Sequence, residues 1–239
     1  MSYGDYAMRK TSVVIPTYNE KDNIVKLLKV MNEAIPSLNY LVVDDNSPDG
    51  TYDVLRKMEM KNLEVIVRTN ERGLGSAIRT GLERALKTES ELIVTMDADF
   101  SHDPAYLPGM LKMAEEGGYD IVVGSRYVKG GGIENWPLKR RIVSKGANFL
   151  FRVAMRSYLK DNTSNYRVYS ARAAREALNC NSADGYEFQI CSIYRALKSN
   201  LKMGEYPIVF KDREVGKSKL NNGEIVRWFK FLVSLLFSS

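Results

Sequence analysis

The chain has 239 residues, of which 44% are hydrophobic and 27% are charged, a balance typical of a folded globular protein and not of a disordered one. Its formal net charge of +6 suits anionic partners such as nucleotide phosphates, lipid phosphates or nucleic acid, without choosing among them. With two cysteines and one histidine, the chain excludes a His/Cys zinc cluster and argues against a disulfide scaffold, so a reducing compartment is the default expectation.

The ends of the chain carry no clear membrane-crossing signal. Residues 1–11 are polar and lack the apolar core of a signal peptide, so we expect a flexible N-terminus there. The nearest candidate for a span, 225–237, is shorter than the roughly 18 apolar residues that a span needs, and it carries Arg227 and Lys230.

Short apolar runs alternate with helical patterns through the first half of the chain. Helices are predicted after Asn19 as N-cap, over 51–60, along a face from Leu74 to Leu86, and from Asp103. This alternation predicts an α/β protein with a mainly parallel sheet and helices on both faces. The strands are predicted over 12–16, 40–43, 63–67, 92–96 and 121–123.

The second half has longer elements. The triplet 130–132 predicts a flexible glycine loop, 137–159 one long basic helix or two, and 201–210 a strand. The last segment, 222–239, predicts an amphipathic helix whose apolar residues cover more than a narrow stripe, which favours a membrane interface or a partner helix. Since no linker, repeat or low-complexity tract appears, we expect a single domain over 1–239.

Four aspartates follow predicted strands. Ligands of open α/β sheets bind beyond the carboxyl ends of the strands, so Asp44, Asp45, Asp97 and Asp99 are expected at one edge. Carboxylates two residues apart can bind one Mg²⁺ or Mn²⁺ that bridges to a diphosphate. A solvated turn explains the same spacing, and Asp44 and Asp45 fit either an Asx turn or a contact with a nucleotide base or ribose.

The segment 72–75, Arg-Gly-Leu-Gly, offers a second anion-binding candidate. Its amides could bind an anion at a helix start. It departs from a dinucleotide fingerprint, because Ile78 stands where the third glycine belongs. A glycine at a helix start is the favoured interpretation.

Together these motifs resemble the family-2 glycosyltransferases with a GT-A fold, and most closely the dolichyl-phosphate mannose synthase group. The resemblance spans about Ser12 to Leu220. The first three segments that carry it are shared widely in the family, whereas Trp-Pro-Leu-Lys-Arg-Arg at 136–141 points to polyprenyl-phosphate acceptors. The segments are 14–20, 43–51, 96–102, 124–127, 136–141 and 213–220.

The resemblance implies a donor subsite and a metal site. Asp97, Asp99 and Ser101 would serve Mg²⁺ or Mn²⁺. Some relatives have Gln where this chain has Ser101, so we expect that contact to run through water. Asp97 and Asp99 would be catalytic. The nucleotide sugar would contact Pro16, Tyr18, Glu20, Val43, Asp45, Asp97, Ala98, Arg213 and Lys219, the last two as a clamp on the diphosphate.

For the acceptor side, the resemblance implies that Arg126, Arg140 and Ser144 hold a lipid phosphate, with both arginines catalytic. The implied reaction is inverting transfer of mannose from GDP-mannose to dolichyl or another polyprenyl phosphate. The implied location is peripheral, at the cytoplasmic face of a membrane. A small membrane-anchor subunit is a candidate partner, and no nucleic acid partner is expected.

Two residues near these motifs leave alternatives open. His102 fits either loop packing, which we favour, or a metal ligand. Asn165 stands where the family segment usually has glycine, which puts the backbone conformation there in question.

The cations along 139–156 fit a solvated face or an element that rests on anionic lipid.

Three rival functions would each use a different substrate or partner. The nearest is a sibling transferase that uses UDP-glucose or a sugar acceptor. A nucleic-acid-binding module lacks a recognised motif, and the strand-end acids oppose it. A nicotinamide oxidoreductase conflicts with the glycine pattern.

Overall fold

The computed structural model describes residues 9–212 and 222–237. The five apolar runs predicted as strands in the first half each form a strand, and the first of them begins at Thr11. The strands are β1 (Thr11–Thr17), β2 (Asn39–Asp44), β3 (Leu63–Val67), β4 (Leu92–Thr95), β5 (Ile121–Ser125), β6 (Gly132–Glu134), β7 (Arg167–Ser170), β8 (Met203–Pro207) and β9 (Val209–Lys211).

Seven of the described strands form one sheet in the order β3-β2-β1-β4-β7-β5-β8. All neighbours are parallel except β7, which runs antiparallel between β4 and β5. The predicted mainly parallel α/β sheet is therefore confirmed. Strands β6 and β9 pair in a second, small sheet beside it.

The four helices predicted in the first half are present, and α1 buries Ile24, Leu27, Leu28 and Met31 on one face. The helices α6 and α7 were not predicted. A short 3-10 turn, capped by Asp103, leads into α4. The helices are α1 (Lys21–Ala34), α2 (Thr51–Leu55), α3 (Leu74–Lys87), α4 (Leu107–Gly117), α5 (Leu138–Met155), α6 (Ala171–Leu178), α7 (Phe188–Lys198) and α8 (Asn222–Leu236).

Several predicted boundaries were wrong. Asn19 does not cap α1, because it has a φ of 57° and the cap position belongs to Glu20. The helix over 51–60 ends after a little more than one turn. The strand over 201–210 is interrupted at Ile208, so that β8 stays in the large sheet and β9 joins β6.

Two apolar cores cover the two faces of the sheet. Successive residues of β1 alternate between them: Val14 packs with α3, α6 and α7, whereas Val13 and Ile15 pack with α1 and α4. One face of α8 joins the core that contains Val14, through Leu232 and Leu235. Packing on both faces fixes the strand ends that form the site described below.

Cys180 and Cys191 form a disulfide, with their Cα atoms 5.9 Å apart. The composition had argued against a disulfide scaffold, and this cross-link was not predicted. It ties the end of α6 to α7 beside a complete apolar core, so it reinforces one connection and is not the framework of the fold.

No helix in the described parts of the chain combines the length and the apolar character that crossing a bilayer requires. The outer surfaces of α5 and α8 nevertheless expose large apolar side chains. They are Leu138, Ile142, Phe149, Leu150 and Val153 on α5, and Ile225, Val226, Phe229, Val233 and Leu236 on α8.

Candidate active site

A cavity of about 280 Å³ lies at the carboxyl ends of β1, β2 and β4. Helices α5, α7 and α8 close its other sides. The parallel strands bring their C-terminal residues to this edge, which is where an open α/β sheet binds ligands.

Asp97 and Asp99 follow β4 and form one side of the cavity, here named the acid wall. The Asp99 side chain is buried, and its Oδ1 atom accepts hydrogen bonds from the backbone N–H of Ser101 at 3.1 Å and from the Ser101 hydroxyl. Asp97 is more open, with 32% of its side chain exposed. The acid wall therefore presents one carboxylate fixed by its own loop and another that faces the cavity.

Ser101 itself does not line the cavity, and its hydroxyl is engaged by Asp99. Ser101 was predicted to be a metal ligand. In this structure it lies outside the cavity lining and contacts Asp99, the other predicted ligand next to it. Within the described residues no group of three or more His, Cys, Asp or Glu side chains is arranged to hold a metal.

His102 supports the acid wall from behind. It is buried, and its Nδ1 atom accepts the backbone N–H of Asp97 at 3.1 Å. Burial lowers the pKa of His102 by more than the carboxylates of Asp97 and Asp99 raise it. The imidazole is therefore neutral and its Nδ1 already has a donor, which agrees with the packing interpretation.

Of the two aspartates after β2, only Asp45 lines the cavity. Its carboxylate accepts hydrogen bonds from Arg68 and from the Gly73 backbone N–H at 2.9 Å. Asp44 is buried and accepts from Thr17 and Ser47, so it builds the turn. The turn alternative therefore holds for Asp44, whereas Asp45 lines the cavity and its contact with a nucleotide stays a prediction.

The start of α3 is not open to an anion. The backbone N–H groups of Gly75 and Ser76 donate to the carbonyl of Asp184, at 2.8 and 3.2 Å. A Cβ atom at Gly75 would lie 2.2 Å from the Ala183 carbonyl oxygen, so glycine is required for this approach. The favoured interpretation of a helix-start glycine is supported.

Arg126 and Arg140 supply the cationic part of the cavity lining, here named the basic wall. Arg126 is buried and makes two hydrogen bonds of 2.7 Å with the buried carboxylate of Asp161. Burial lowers the pKa of Arg126, but the Asp161 charge and hydrogen bonds outweigh it, and the net shift is upward. Burial raises the pKa of Asp161, but the charge and the hydrogen bonds of Arg126 lower it by more, so its net shift is downward. Both groups therefore stay ionised.

Arg140 is held differently. Its guanidinium lies 3.9 Å from the centre of the Trp136 ring and donates to Asp212 at 2.9 Å. About a quarter of its side chain remains exposed, at 23%. One turn further along α5, the Ser144 hydroxyl bonds to the Tyr127 hydroxyl at 2.8 Å. Arg140 and Ser144 therefore keep access to the cavity.

Aromatic rings connect the two walls. The Phe210 ring packs edge-on against both His102 and Trp136, with centroids 5.4 and 5.2 Å apart. Beyond the basic wall the lining becomes largely apolar, with Val143 and Ala147 from α5 and Ile225 and Trp228 from α8. The cavity thus passes from acidic through basic to apolar surroundings.

Most of the predicted site residues come together. Val43 is an exception, because it is buried within β2 and does not line the cavity. Arg213 and Lys219 lie outside the described residues. The roles assigned to the individual residues stay predictions. The predicted residues that do line the cavity are Pro16, Tyr18, Glu20, Asp45, Asp97, Ala98, Asp99, Arg126, Arg140 and Ser144.

Sequence reasoning missed Asp161, Asn165 and Gln189 as parts of the site. Asn165 drew attention only through its backbone, and it is not among the residues with positive φ. Its side chain donates to Asp97 at 2.8 Å. The run Asp-Asn-Thr-Ser-Asn at 161–165 is polar, and most of it is buried in the structure. An exposed loop has the same kind of composition, so the sequence alone did not mark this run as part of the site.

Comparison with known sequences adds the family. The family model for glycosyl transferase family 2 matches residues 12–178. The polyprenol monophosphomannose synthase of Mycolicibacterium smegmatis is 39% identical over 222 residues, covering 91% of this chain and 83% of the relative. The undecaprenyl-phosphate mannosyltransferase of Micrococcus luteus is 36% identical over 225 residues, covering 90% and 92%.

Solved structures share the fold at low sequence identity. Glucosyl-3-phosphoglycerate synthase from Mycobacterium tuberculosis, in complex with Mn²⁺, UDP and phosphoglyceric acid, matches with a TM-score of 0.72 at 16% identity, over 95% of this chain and 78% of that one. A mannosyltransferase from Pyrobaculum calidifontis, in complex with GDP-Man and Mn²⁺, matches with a TM-score of 0.60 at 18% identity, over 89% and 59%.

Proposed function

The chain belongs to glycosyl transferase family 2 and is a glycosyltransferase with a GT-A fold, and on that premise we propose that it transfers mannose from GDP-mannose to a polyprenyl phosphate of the dolichyl type. The names of its curated relatives support mannose as the sugar and a polyprenyl phosphate as the acceptor. The observation that carries the proposal is the single cavity in which the acid wall, the basic wall and an apolar outlet follow one another.

The acid wall fits a divalent cation. Mg²⁺ is typically held by one or two carboxylates, with substrate phosphate oxygens and waters completing its shell. Asp97 and Asp99 supply such carboxylates on one cavity surface. When bound, Mg²⁺ or Mn²⁺ would neutralise charge on the leaving diphosphate. Ser101 orients Asp99 for this task.

The donor nucleotide is assigned to the side of the cavity away from the basic wall. Pro16, Tyr18 and Glu20 line that side, next to Asp45. Arg72 lies over the Tyr18 ring, 5.1 Å from its centre. This arrangement supports the predicted base and ribose contacts, and it leaves Asp97 between the nucleotide and the acceptor.

The basic wall suits an acceptor that is already anionic. A phosphate monoester has a second pKa of about 6, so its oxygen is a nucleophile near neutral pH without a strong base. It must instead approach an anionic donor against repulsion, which cationic hydrogen-bond donors reduce. Arg140 carries this role more than Arg126, because Asp161 compensates the charge of Arg126.

The proposed reaction is an in-line displacement. The acceptor phosphate oxygen forms a bond to the anomeric carbon while the bond from that carbon to the diphosphate oxygen breaks, and GDP leaves with the electron pair. Attack from the face opposite the leaving group inverts the configuration and gives the β-mannosyl phosphate. Both walls line the same cavity, so a bound donor and a bound acceptor can meet there.

The apolar outlet indicates where the polyprenyl chain leaves. Val143 and Ala147 face Ile225 and Trp228 across the gap between α5 and α8. The outer surfaces of the same helices expose apolar side chains next to Lys139, Lys145, Arg152 and Lys230. A helix pair of this composition binds the interface of an anionic bilayer, so we propose peripheral attachment at the cytoplasmic face.

A product assay tests the proposal. The protein is incubated with labelled GDP-mannose or UDP-glucose, with a short polyprenyl phosphate or a free sugar, and with or without Mg²⁺ or Mn²⁺. We expect a lipid-linked mannosyl phosphate only with GDP-mannose, polyprenyl phosphate and metal. Transfer from UDP-glucose instead would assign the chain to the sibling activity.

A vesicle assay tests the location. We expect sedimentation with anionic vesicles, and a loss of at least about tenfold in partitioning when Phe149 and Phe229 are both changed to serine, because two exposed aromatic side chains no longer enter the interface. Equal binding by the double variant would reject attachment through α5 and α8.

A further inference from the structure

A chain of three polar side chains crosses the floor of the cavity. The Gln189 side-chain amide donates to Asn165 Oδ1 at 2.9 Å, and the Asn165 amide donates to Asp97 Oδ1 at 2.8 Å. An ionised carboxylate only accepts hydrogen bonds. Asp97 therefore fixes the orientation of the Asn165 amide, which in turn fixes that of Gln189.

The chain ends in an unsatisfied acceptor. Gln189 is 2% exposed and lines the cavity, yet its Oε1 atom has no hydrogen-bond partner among the described residues. A buried acceptor without a partner costs free energy. A hydroxyl-rich ligand on this floor would satisfy it.

A buried arginine holds the backbone next to both side-chain amides. The Arg167 guanidinium donates to the carbonyls of Ser164 and Gln189, at 2.8 and 2.9 Å, and to the Ser192 hydroxyl. Arg167 is fully buried, and within the described residues it has no ion-pair partner. It therefore connects the segment before β7 to α7 through neutral groups, and the positions of Asn165 and Gln189 relative to Asp97 are set by the fold.

We propose that Asn165 and Gln189 are positioning residues for the sugar of the donor. Asn165 restrains Oδ1 of Asp97 and so fixes the orientation of the carboxylate that the sugar meets in the cavity. Gln189 restrains Asn165 and accepts a hydrogen bond from a sugar hydroxyl. This inference rests on the proposed function, since it assumes that the ligand is a nucleotide sugar.

The proposal separates sugar binding from nucleotide binding. GDP lacks the sugar whose hydroxyl Gln189 would bind, whereas GDP-mannose carries it. Losing a hydrogen bond to a charged group typically weakens binding about ten- to a hundredfold. Asn165→Ala should therefore weaken GDP-mannose by at least about tenfold and GDP by less than about threefold.

The test is calorimetric titration of the whole protein with GDP and with GDP-mannose, both with Mn²⁺. Gln189→Leu, which keeps the size of the side chain, is the second variant and should give a smaller change of the same kind. Asn179→Ala, on an exposed position at the end of α6, is the matched control and should behave like wild type. Thermal unfolding of each variant checks that the fold is intact.

A double-mutant cycle sharpens the result. In an Asp97→Asn background the Asn165 side chain no longer restrains a carboxylate, so Asn165→Ala should cost much less than in wild type. Equal weakening of GDP and GDP-mannose, no weakening of either, or full additivity in this cycle would overturn the inference. If wild-type protein binds neither ligand, the proposed function fails in the wild-type arm and the inference fails with it.

Discussion

The acid wall and the basic wall of the cavity are built on opposite plans. The acid wall comes from six consecutive residues after β4, with Ser101 and His102 supporting the carboxylates that precede them. The basic wall comes from separate parts of the chain: Arg126 is paired with Asp161, and Arg140 with Asp212. The Asp99 carboxylate is oriented within its own loop, and Asp97 takes one distant hydrogen bond, from Asn165. Both arginines of the basic wall are held by distant partners.

Within the basic wall the two arginines also differ. Arg126 lies in a buried ion pair that belongs to the folded structure, and Arg140 is a cation stacked on Trp136 with about a quarter of its side chain exposed. This difference predicts that breaking the first pair costs stability, whereas removing the second arginine costs function.

Breaking the Arg126 pair should have the largest effect. Asp161→Asn leaves a buried guanidinium without its counter-charge, so we expect the free energy of unfolding to fall by about 3–5 kcal/mol. Urea unfolding measures it. The double variant Asp161→Asn with Arg126→Met should recover part of the loss, and an unchanged unfolding midpoint for the single variant would refute the structural role.

Removing the inner carboxylate of the acid wall should come next. Asp99→Ala should lower metal-dependent turnover by at least about a hundredfold, because stabilisation of the leaving diphosphate is lost. The fold should persist, as circular dichroism would show. Normal turnover would reject Asp99 as a metal ligand.

Removing the open cation of the basic wall should have an intermediate effect. Arg140→Ala should raise the KM for the acceptor phosphate, or lower kcat, by about tenfold through loss of a charge-assisted hydrogen bond. Donor binding should change much less. Steady-state kinetics with a short polyprenyl phosphate measures both, and Arg175→Ala, at an exposed position of α6, is the control. An unchanged acceptor profile would count against the assignment.

The smallest effect should appear at His102. Its pKa is lowered in the folded protein, so the unfolded state takes up a proton first as pH falls below about 6.5. Folded protein should therefore lose stability from about pH 6.5 downward, and His102→Gln should lack this component. Metal-free urea unfolding at pH 7.5 and 5.5 compares the two proteins. Parallel losses would show that His102 does not titrate differently on folding.

The contrast between the walls also explains what the sequence could predict. Alternating apolar runs gave the sheet and most helices of the first half, because strand and helix periods are local properties. The acid wall was predictable for the same reason. Strand β7 was missed, since its Arg167 interrupts the apolar run and is buried only through contacts with α7.

Partners across the chain were not predictable in this way. Nothing near Arg126 marks Asp161, which lies 35 positions away, and nothing near Asp97 marks Asn165 or Gln189. Tertiary packing also decided that Asp45 faces the cavity while its neighbour Asp44 builds the turn. Residue types and motifs indicated the chemistry, and the fold determined which side chains meet.

The central claim is that one cavity holds a metal-bound diphosphate and an acceptor phosphate side by side. Mn²⁺ is paramagnetic, so phosphorus NMR of a short polyprenyl phosphate in the presence of protein, GDP and Mn²⁺ tests it most directly. We predict strong broadening of the acceptor signal that disappears with Asp99→Ala and weakens with Arg140→Ala. A polyprenyl phosphate that binds the protein but keeps a sharp phosphorus signal in the presence of Mn²⁺ would contradict the account.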